Sequence, residues 1–178
     1  FEIIFLGTSA SAPSIHRGLS AQVVKHEEHR FLIDCGEGTQ RQIMISGLSL
    51  GKLHTVFITH LHGDHYYGLP GLLATKKLDG ITTPLTIYGP EGIERFLVCA
   101  LDISETHLGY RLEIIEYRAQ ERFIFDRFTL KVLPLVHSKE SVAFYIKEHD
   151  ITDRLNEAKL RALGLEPSPL YGEIKKGR

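Results

Sequence analysis

The stretch Thr59-His60-Leu61-His62-Gly63-Asp64-His65 decides the reading of this chain. It places three histidines and one aspartate within six residues. Val56-Phe57-Ile58 leads into it, a short apolar run rich in β-branched and aromatic side chains that reads as a buried strand. Tyr66-Tyr67-Gly68-Leu69-Pro70-Gly71-Leu72-Leu73 follows, apolar and rich in small residues, suited to a helix packed beneath the loop. The polar side chains therefore fall on a loop at a strand end, where open sheets usually place their chemistry.

Imidazole nitrogen and carboxylate oxygen are ligands that zinc accepts, at roughly 2.0–2.2 Å. Ligands so close along the chain point in different directions, which suits two metals side by side better than one. Two-metal hydrolytic sites hold their ions ~3.5–4 Å apart and clamp the attacking and leaving oxygens of a displacement. The competing reading is a histidine-rich surface loop, since His-x-His arises readily by chance.

Other stretches add to the pattern: Phe5-Leu6-Gly7-Thr8-Ser9-Ala10, Asp34-Cys35-Gly36-Glu37-Gly38-Thr39-Gln40, Gly68-Leu69-Pro70-Gly71-Leu72-Leu73 and Tyr88-Gly89-Pro90. Together with His60-Leu61-His62-Gly63-Asp64-His65 they resemble the metallo-β-lactamase superfamily. Within it they are similar to ribonuclease Z (tRNase Z) in its short form. The resemblance runs over nearly the whole chain. It implies an α/β fold, a four-layer αβ/βα sandwich with the metals at one edge. This chain would supply the first half of that sandwich and the start of a protruding arm.

The same resemblance implies an activity. It is a zinc-dependent endoribonuclease that removes the 3′ trailer of precursor tRNA and leaves a 3′ hydroxyl. His60, His62 and His137 are then ligands of one zinc, and Asp64 and His65 contribute to the second, two per complete site. Asp64 is also the catalytic candidate, orienting the attacking hydroxide or taking its proton. Asp34 is the residue expected to orient a ligating histidine from behind. Read without the resemblance, Asp34 serves equally as the N-cap of a helix from about Thr39.

Composition bounds the alternatives. The 178 residues are 43% hydrophobic and 24% charged, as in a soluble globular chain. No run of 18 apolar residues exists, so no membrane span is expected. The net charge of −1 does not announce a nucleic-acid binder, and any RNA contact must come from local patches. Cys35 and Cys99 form no disulfide framework, fit a reducing compartment such as the cytoplasm, and read as small buried hydrophobes.

Along the chain, residues 1–6 read as a strand ended by Gly7, and residues 8–18 as a small-residue loop suited to lining a cleft. Gln22-Val23-Val24 and Arg30-Phe31-Leu32-Ile33 flank a polar turn in which His26 and His29 face solvent. Residues 40–45 form a helix ended by Gly47. Pro84-Leu85-Thr86-Ile87-Tyr88 is a strand, and Pro90 stands near the start of a helix in which Ile93, Phe96, Leu97 and Ala100 share a face. Residues 112–117, 122–125 and 128–135 are three further strands. His137 closes the last of these, at the place where the family carries its next metal histidine. The glycine-aromatic pair usual just after it is absent from Ser141-Val142-Ala143-Phe144-Tyr145.

From residue 150 the character changes. Residues 1–149 read as the N-terminal part of the metallo-β-lactamase-like domain, and 150–178 as the start of a tRNA-binding arm. A short helix capped by Asp153 and stopped by Gly164 opens that segment. Pro167-Ser168-Pro169 resembles the family's Gly-Pro motif, with Ser168 in place of the glycine. Pro169, Lys175, Lys176 and Arg178 are the RNA-binding candidates, the basic ones suited to phosphate contacts.

The family's second half supplies a bridging aspartate, a further zinc histidine and a catalytic histidine. No histidine follows His149, and the chain begins without methionine. These 178 residues are therefore expected to be part of a protein about twice as long. The resemblance further implies a homodimer in which one subunit's arm presents RNA to the other's metals. The alternatives are another hydrolase of this fold acting on small phosphodiesters or thioesters, and a non-catalytic RNA-binding module if the natural chain ends at Arg178.

Overall fold

The computed structural model describes residues 1–137, 140–149, 157–164 and 168–169. The chain forms two compact units. The first comprises residues 1–121 and 131–145, the second residues 122–130 and 146–178.

The first unit is built on a six-stranded sheet in the order β1-β2-β3-β4-β5-β6. β1 (Glu2–Gly7), β2 (Ala21–His26) and β3 (His29–Ile33) are antiparallel neighbours. β4 (Thr55–Phe57), β5 (Leu85–Gly89) and β6 (Leu112–Glu116) continue the sheet in parallel. The change of sense follows from the connections. β2 and β3 are joined by two residues, Glu27 at φ 51 and Glu28, which permits only a hairpin. Each later strand is reached through helical residues, as parallel pairing requires. α1 (Thr39–Ile45) precedes β4, α2 (Gly63–Tyr66) and α3 (Leu69–Leu78) precede β5, and α4 (Ile93–Ile103) precedes β6.

Alternation along the strands divides the apolar residues between two faces. Val23, Leu32, Val56, Ile58, Leu85 and Ile87 form one core cluster with Ile43 of α1, Leu69, Leu72 and Leu73 of α3, and Ile93 and Leu97 of α4. Ile93 and Leu97, both fully buried, each contribute roughly 1.5–3 kcal/mol through burial alone. The opposite face is aromatic. Phe57 stacks on Tyr88 at 4.8 Å and meets Phe31 at 5.8 Å and Phe144 at 5.3 Å. Lys76 of α3 is buried in this unit, its Nζ donating to Thr83 Oγ1 at 2.7 Å and lying over the Tyr110 ring.

A three-stranded sheet has the order β7-β8-β9, from β7 (Arg122–Ile124), β8 (Phe128–Leu135) and β9 (Ser141–Glu148). Within the second unit Phe125 stacks on Phe128 at 4.7 Å, and Thr129 Oγ1 lies 2.7 Å from His149 Nε2. α5 (Glu157–Ala162) is followed by Gly164 at φ 75. Asp153, the expected cap of that helix, lies outside the described residues, as do Lys175, Lys176 and Arg178. Pro169 is described and exposed. Among the described residues no helix is long and apolar enough to cross a membrane.

Two expectations are corrected. His26 is not in a solvent-facing turn. It is the last residue of β2, on the same side as the buried Val24, only 5% exposed and stacked on Phe1 at 4.2 Å. Cys99 is not buried. It stands two residues past Leu97, about 200° around the helix from the buried stripe, and so faces outward. Cys35 is buried as expected.

Candidate metal centre

The site gathers at the carboxyl ends of β3 and β4. These strands are parallel neighbours, with Ile33 paired to Phe57, so the residues that follow them emerge side by side. The Asp34 N–H donates to the carbonyl of Phe57 at 2.8 Å, carrying the pairing one residue further. Asp34 then takes φ 59, a left-handed conformation uncommon for a side-chain-bearing residue, and the chain turns away through Cys35 and Gly36. No side chain caps α1. Its N-cap is Gly38, and the Asp34 carboxylate is directed into the site instead.

The metal loop is clasped to this turn by backbone hydrogen bonds. The Cys35 N–H donates to the His65 carbonyl at 2.7 Å, and the Gly68 N–H donates to the Cys35 carbonyl at 2.9 Å. Glycine is required on both sides of the clasp. A Cβ on Gly68 would collide with the Gly36 carbonyl, and one on Gly36 would stand 2.5 Å from the Asp64 carbonyl.

Asp34 is the hub of the side-chain network. Its Oδ1 accepts from the Thr59 N–H at 2.8 Å and lies 2.9 Å from Thr59 Oγ1. Its Oδ2 accepts from His65 Nδ1 at 2.6 Å and from Ser20 Oγ at 3.3 Å. Thr59 Oγ1 is also 2.9 Å from His60 Nδ1. On the other side of the loop Asp64 Oδ2 accepts the Ser11 N–H at 2.8 Å and lies 3.6 Å from His65 Nε2. Ser11, at φ 60, belongs to the small-residue loop 8–18. That loop lines the site as expected, through residues 10–13.

His60, His62 and His137 come together. Each offers one ring nitrogen, and all three nitrogens lie within 4.8 Å of one another. His60 Nε2 is 3.0 Å from His62 Nδ1, and the His137 ring is 5.4 Å from that of His60 and 5.3 Å from that of His62. His137 is brought back to the loop by β9, where the Val142 N–H donates to the Thr59 carbonyl at 3.2 Å. Asp64 and His65 share the same cleft, of about 720 Å³, with Glu37 and Tyr67 on its walls.

The charges suit a cation. Burial, reinforced by the neighbouring His65, lowers the His60 pKa to about 4, so its imidazole is neutral and available as a ligand at ordinary pH. Burial pulls His65 downward too, but the hydrogen bond and charge of Asp34 outweigh it and hold its pKa above the ordinary 6.5. Burial alone would raise Asp64, yet the Ser11 amide and the nearby histidines hold it below the usual carboxylate range.

A tetrahedral zinc at ~2.0–2.1 Å from each imidazole needs nitrogens roughly 3.4 Å apart. The cluster meets that spacing with small side-chain adjustments, and imidazoles beside a carboxylate are the donors such an ion takes. These residues fit a metal.

Three participants carry no signal in the sequence. Thr59 precedes the histidines but has no ligand chemistry of its own. Ser11 acts through its backbone amide. Tyr117 is buried, and its hydroxyl donates to the Ile58 carbonyl just before the loop. Only the distances reveal them.

Fold and site together define a metallo-β-lactamase fold protein with a metal-binding histidine cluster. Residues 1–154 match the family model described as Anti-Pycsar protein Apyc1, and the chain belongs to that family. It is also 46% identical to ribonuclease BN of Escherichia coli O6:K15:H31 (strain 536 / UPEC), an alignment covering 99% of this chain and 59% of that one. It thus spans about three-fifths of the curated relative's length. Among solved structures, human tRNase Z, short form, superposes with a TM-score of 0.76 at 38% identity, covering 82% of this chain and 64% of that one. The metallo-β-lactamase fold protein YhfI from Bacillus subtilis superposes with a TM-score of 0.66 at 21% identity, covering 82% and 58%, and supports the fold.

Proposed function

We propose that the protein is a zinc-dependent endoribonuclease that removes the 3′ trailer from precursor tRNA in the cytoplasm. The observation that carries this reading is the convergence of His60, His62 and His137 with Asp64 and His65 in one cleft. They converge in a chain 46% identical to a ribonuclease BN. His60, His62 and His137 would hold one zinc, and Asp64 and His65 would contribute to a second. Bound zinc would supply a water acidified to a pKa of about 7 and a positive field for the charge developing on the phosphoryl oxygens.

The chain's own residues do the rest. His65 is fixed through Nδ1 by Asp34, which leaves its Nε2 facing the cleft. Asp64 is tethered at Oδ2 by the Ser11 amide, which leaves Oδ1 to orient the attacking water and accept its proton. The phosphorus–O3′ bond breaks, and the 3′ oxygen of the tRNA takes up a proton as the leaving hydroxyl. Residues 1–149 supply these ligands as the N-terminal part of the domain. Residues 150–178 begin an arm in which Pro169, Lys175, Lys176 and Arg178 meet the tRNA backbone, and two copies act as a homodimer.

The test is cleavage of a precursor tRNA with a 3′ trailer, compared with a small chromogenic phosphodiester. Single cleavage at the trailer junction, lost on chelation and restored by zinc, is the expected result. One observation favours a second reading. Residues 1–154 match the family described as Anti-Pycsar protein Apyc1, a different description from that of the ribonuclease relatives. A hydrolase of small phosphodiesters or thioesters built on the same residues would turn over the small substrate and leave precursor tRNA intact.

A further inference from the structure

We propose that Thr59 is a positioning residue. Its hydroxyl donates to Asp34 and accepts from His60 Nδ1–H, so one buried carboxylate presets the coordinating nitrogen of histidines at both metal positions. The inference rests on the reading above that His60 and His65 are ligands.

A hydroxyl has one proton to give and two lone pairs. Thr59 Oγ1 lies 2.9 and 3.0 Å from the two oxygens of Asp34 and 2.9 Å from His60 Nδ1. A carboxylate only accepts, so the single proton goes to Asp34, where the hydrogen bond is charge-assisted. The contact with His60 is then satisfied only if His60 supplies the proton. The opposite arrangement would turn two bare oxygens on each other at about 2.9 Å. His60 is thereby held in the tautomer protonated at Nδ1, with Nε2 bare. That Nε2 is the nitrogen facing His62 Nδ1 at 3.0 Å, inside the cluster.

His65 is treated the same way without an intermediary. Its Nδ1 donates directly to Asp34 Oδ2 at 2.6 Å, which frees Nε2 on the side of Asp64. Asp34 thus acts on His65 in one hydrogen bond and on His60 in two. Thr59 is held for the task twice over, by its own N–H to Asp34 Oδ1 and by its carbonyl, which accepts from Val142. The hydroxyl also lies 3.5 Å from His65 Nδ1, which is already held more closely by Asp34, so removing the hydroxyl tests the relay to His60.

The experiment is nitrogen-15 NMR of the histidine side chains in the metal-free full chain, alongside zinc titration. In the wild type His60 should carry its proton on Nδ1. A wild-type His60 protonated at Nε2 overturns the proposal without any variant. Thr59→Val should release His60 toward the Nε2–H form, which can donate to His62, and weaken the first zinc by about 10–100-fold. The His65 signals should remain in place. Thr59→Ser should restore both the tautomer and the affinity, which a purely space-filling role would not predict. Unchanged tautomer and affinity in Thr59→Val defeat the idea, as does failure of Thr59→Ser to restore them. If Thr59→Val does not fold, the wild-type tautomer and Thr59→Ser decide. A wild type with the expected tautomer that binds no zinc removes the metal reading and leaves the relay standing.

Discussion

Gly68 and Gly36 meet backbone to backbone: a Cβ built on Gly68 would strike the Gly36 carbonyl. The contact brings the end of the metal loop onto the turn that follows β3. Gly68→Ala should therefore act at two levels. A clash with backbone cannot be relieved by a rotamer change, so the variant should lose about 3 kcal/mol, at the upper end of overpacking costs. The displaced loop should also weaken metal binding. Thermal unfolding and zinc titration of the variant check both.

His62 is half-buried, stands at the N-cap of α2 and caps it with no side-chain hydrogen bond. His62→Ala should leave the fold intact and remove one of three imidazoles from the cluster. The expected result is a wild-type far-ultraviolet circular dichroism spectrum with loss of tightly bound zinc and of any metal-dependent cleavage. Full metal content in this variant would count against the assignment.

The two metal positions should differ in strength. His60, His62 and His137 make a three-ligand set, while Asp64 and His65 offer two among the described residues. Three protein ligands plus water suffice for a catalytic-type zinc. The chain should retain about one zinc through gel filtration and exchange the second readily, as that ligand count implies. Metal analysis after dialysis against a weak chelator would read the difference, and two equally retained zincs would contradict it.

Alkaline pH should weaken the fold through groups outside the metal cluster. Burial pushes the Cys35 thiol from its ordinary 9.0 up to about 12, a rise the Thr39 hydrogen bond only moderates. Burial likewise pushes Tyr117 upward. The folded protein then keeps protons that the unfolded chain releases. The stabilisation is complete below about pH 9 and is lost as pH rises toward 12. Urea midpoints should fall from pH 8 to 11, and less steeply in Cys35→Ala or Tyr117→Phe. Tyr117→Phe should also start about 1 kcal/mol lower, because the Ile58 carbonyl loses its donor.

The two thiols should separate in native protein. Cys99 is exposed and Cys35 fully buried. A thiol reagent should modify one cysteine per native chain quickly and the second only on unfolding. Mass spectrometry after a short exposure to iodoacetamide locates the label.

Much of this was legible in the residues. The metal loop reads directly, because ligand types and spacing are written locally. The β2–β3 hairpin and α4 also follow from local alternation and helical spacing. His137 needed the resemblance, since one histidine after an apolar strand has no local signature. The supporting contacts could not be read at all. Ser11 reaches Asp64 across 53 residues and Tyr117 reaches Ile58 across 59. One uses a backbone amide that every residue but proline possesses. The charge-rich neighbours of His26 suggest a turn, whereas its position two residues beyond Val24 returns it to the buried face. For Cys99 the residue type suggests burial, whereas its angle on the helix turns it outward.

The parallel pairing of β3 with β4 has a consequence for how the protein tolerates change. Asp34 and Thr59 stand at the ends of neighbouring strands, so their separation is set by the interstrand spacing, about 4.8 Å, and not by the length of chain between them. The connection through α1 and residues 46–54 can lengthen or shorten without altering that interval. A single deletion between Asp34 and Gly36 shifts the register of the clasp and pulls the carboxylate from beneath both histidines. The centre is thus insulated from length variation on the far side of the sheet and brittle within three residues on the near side.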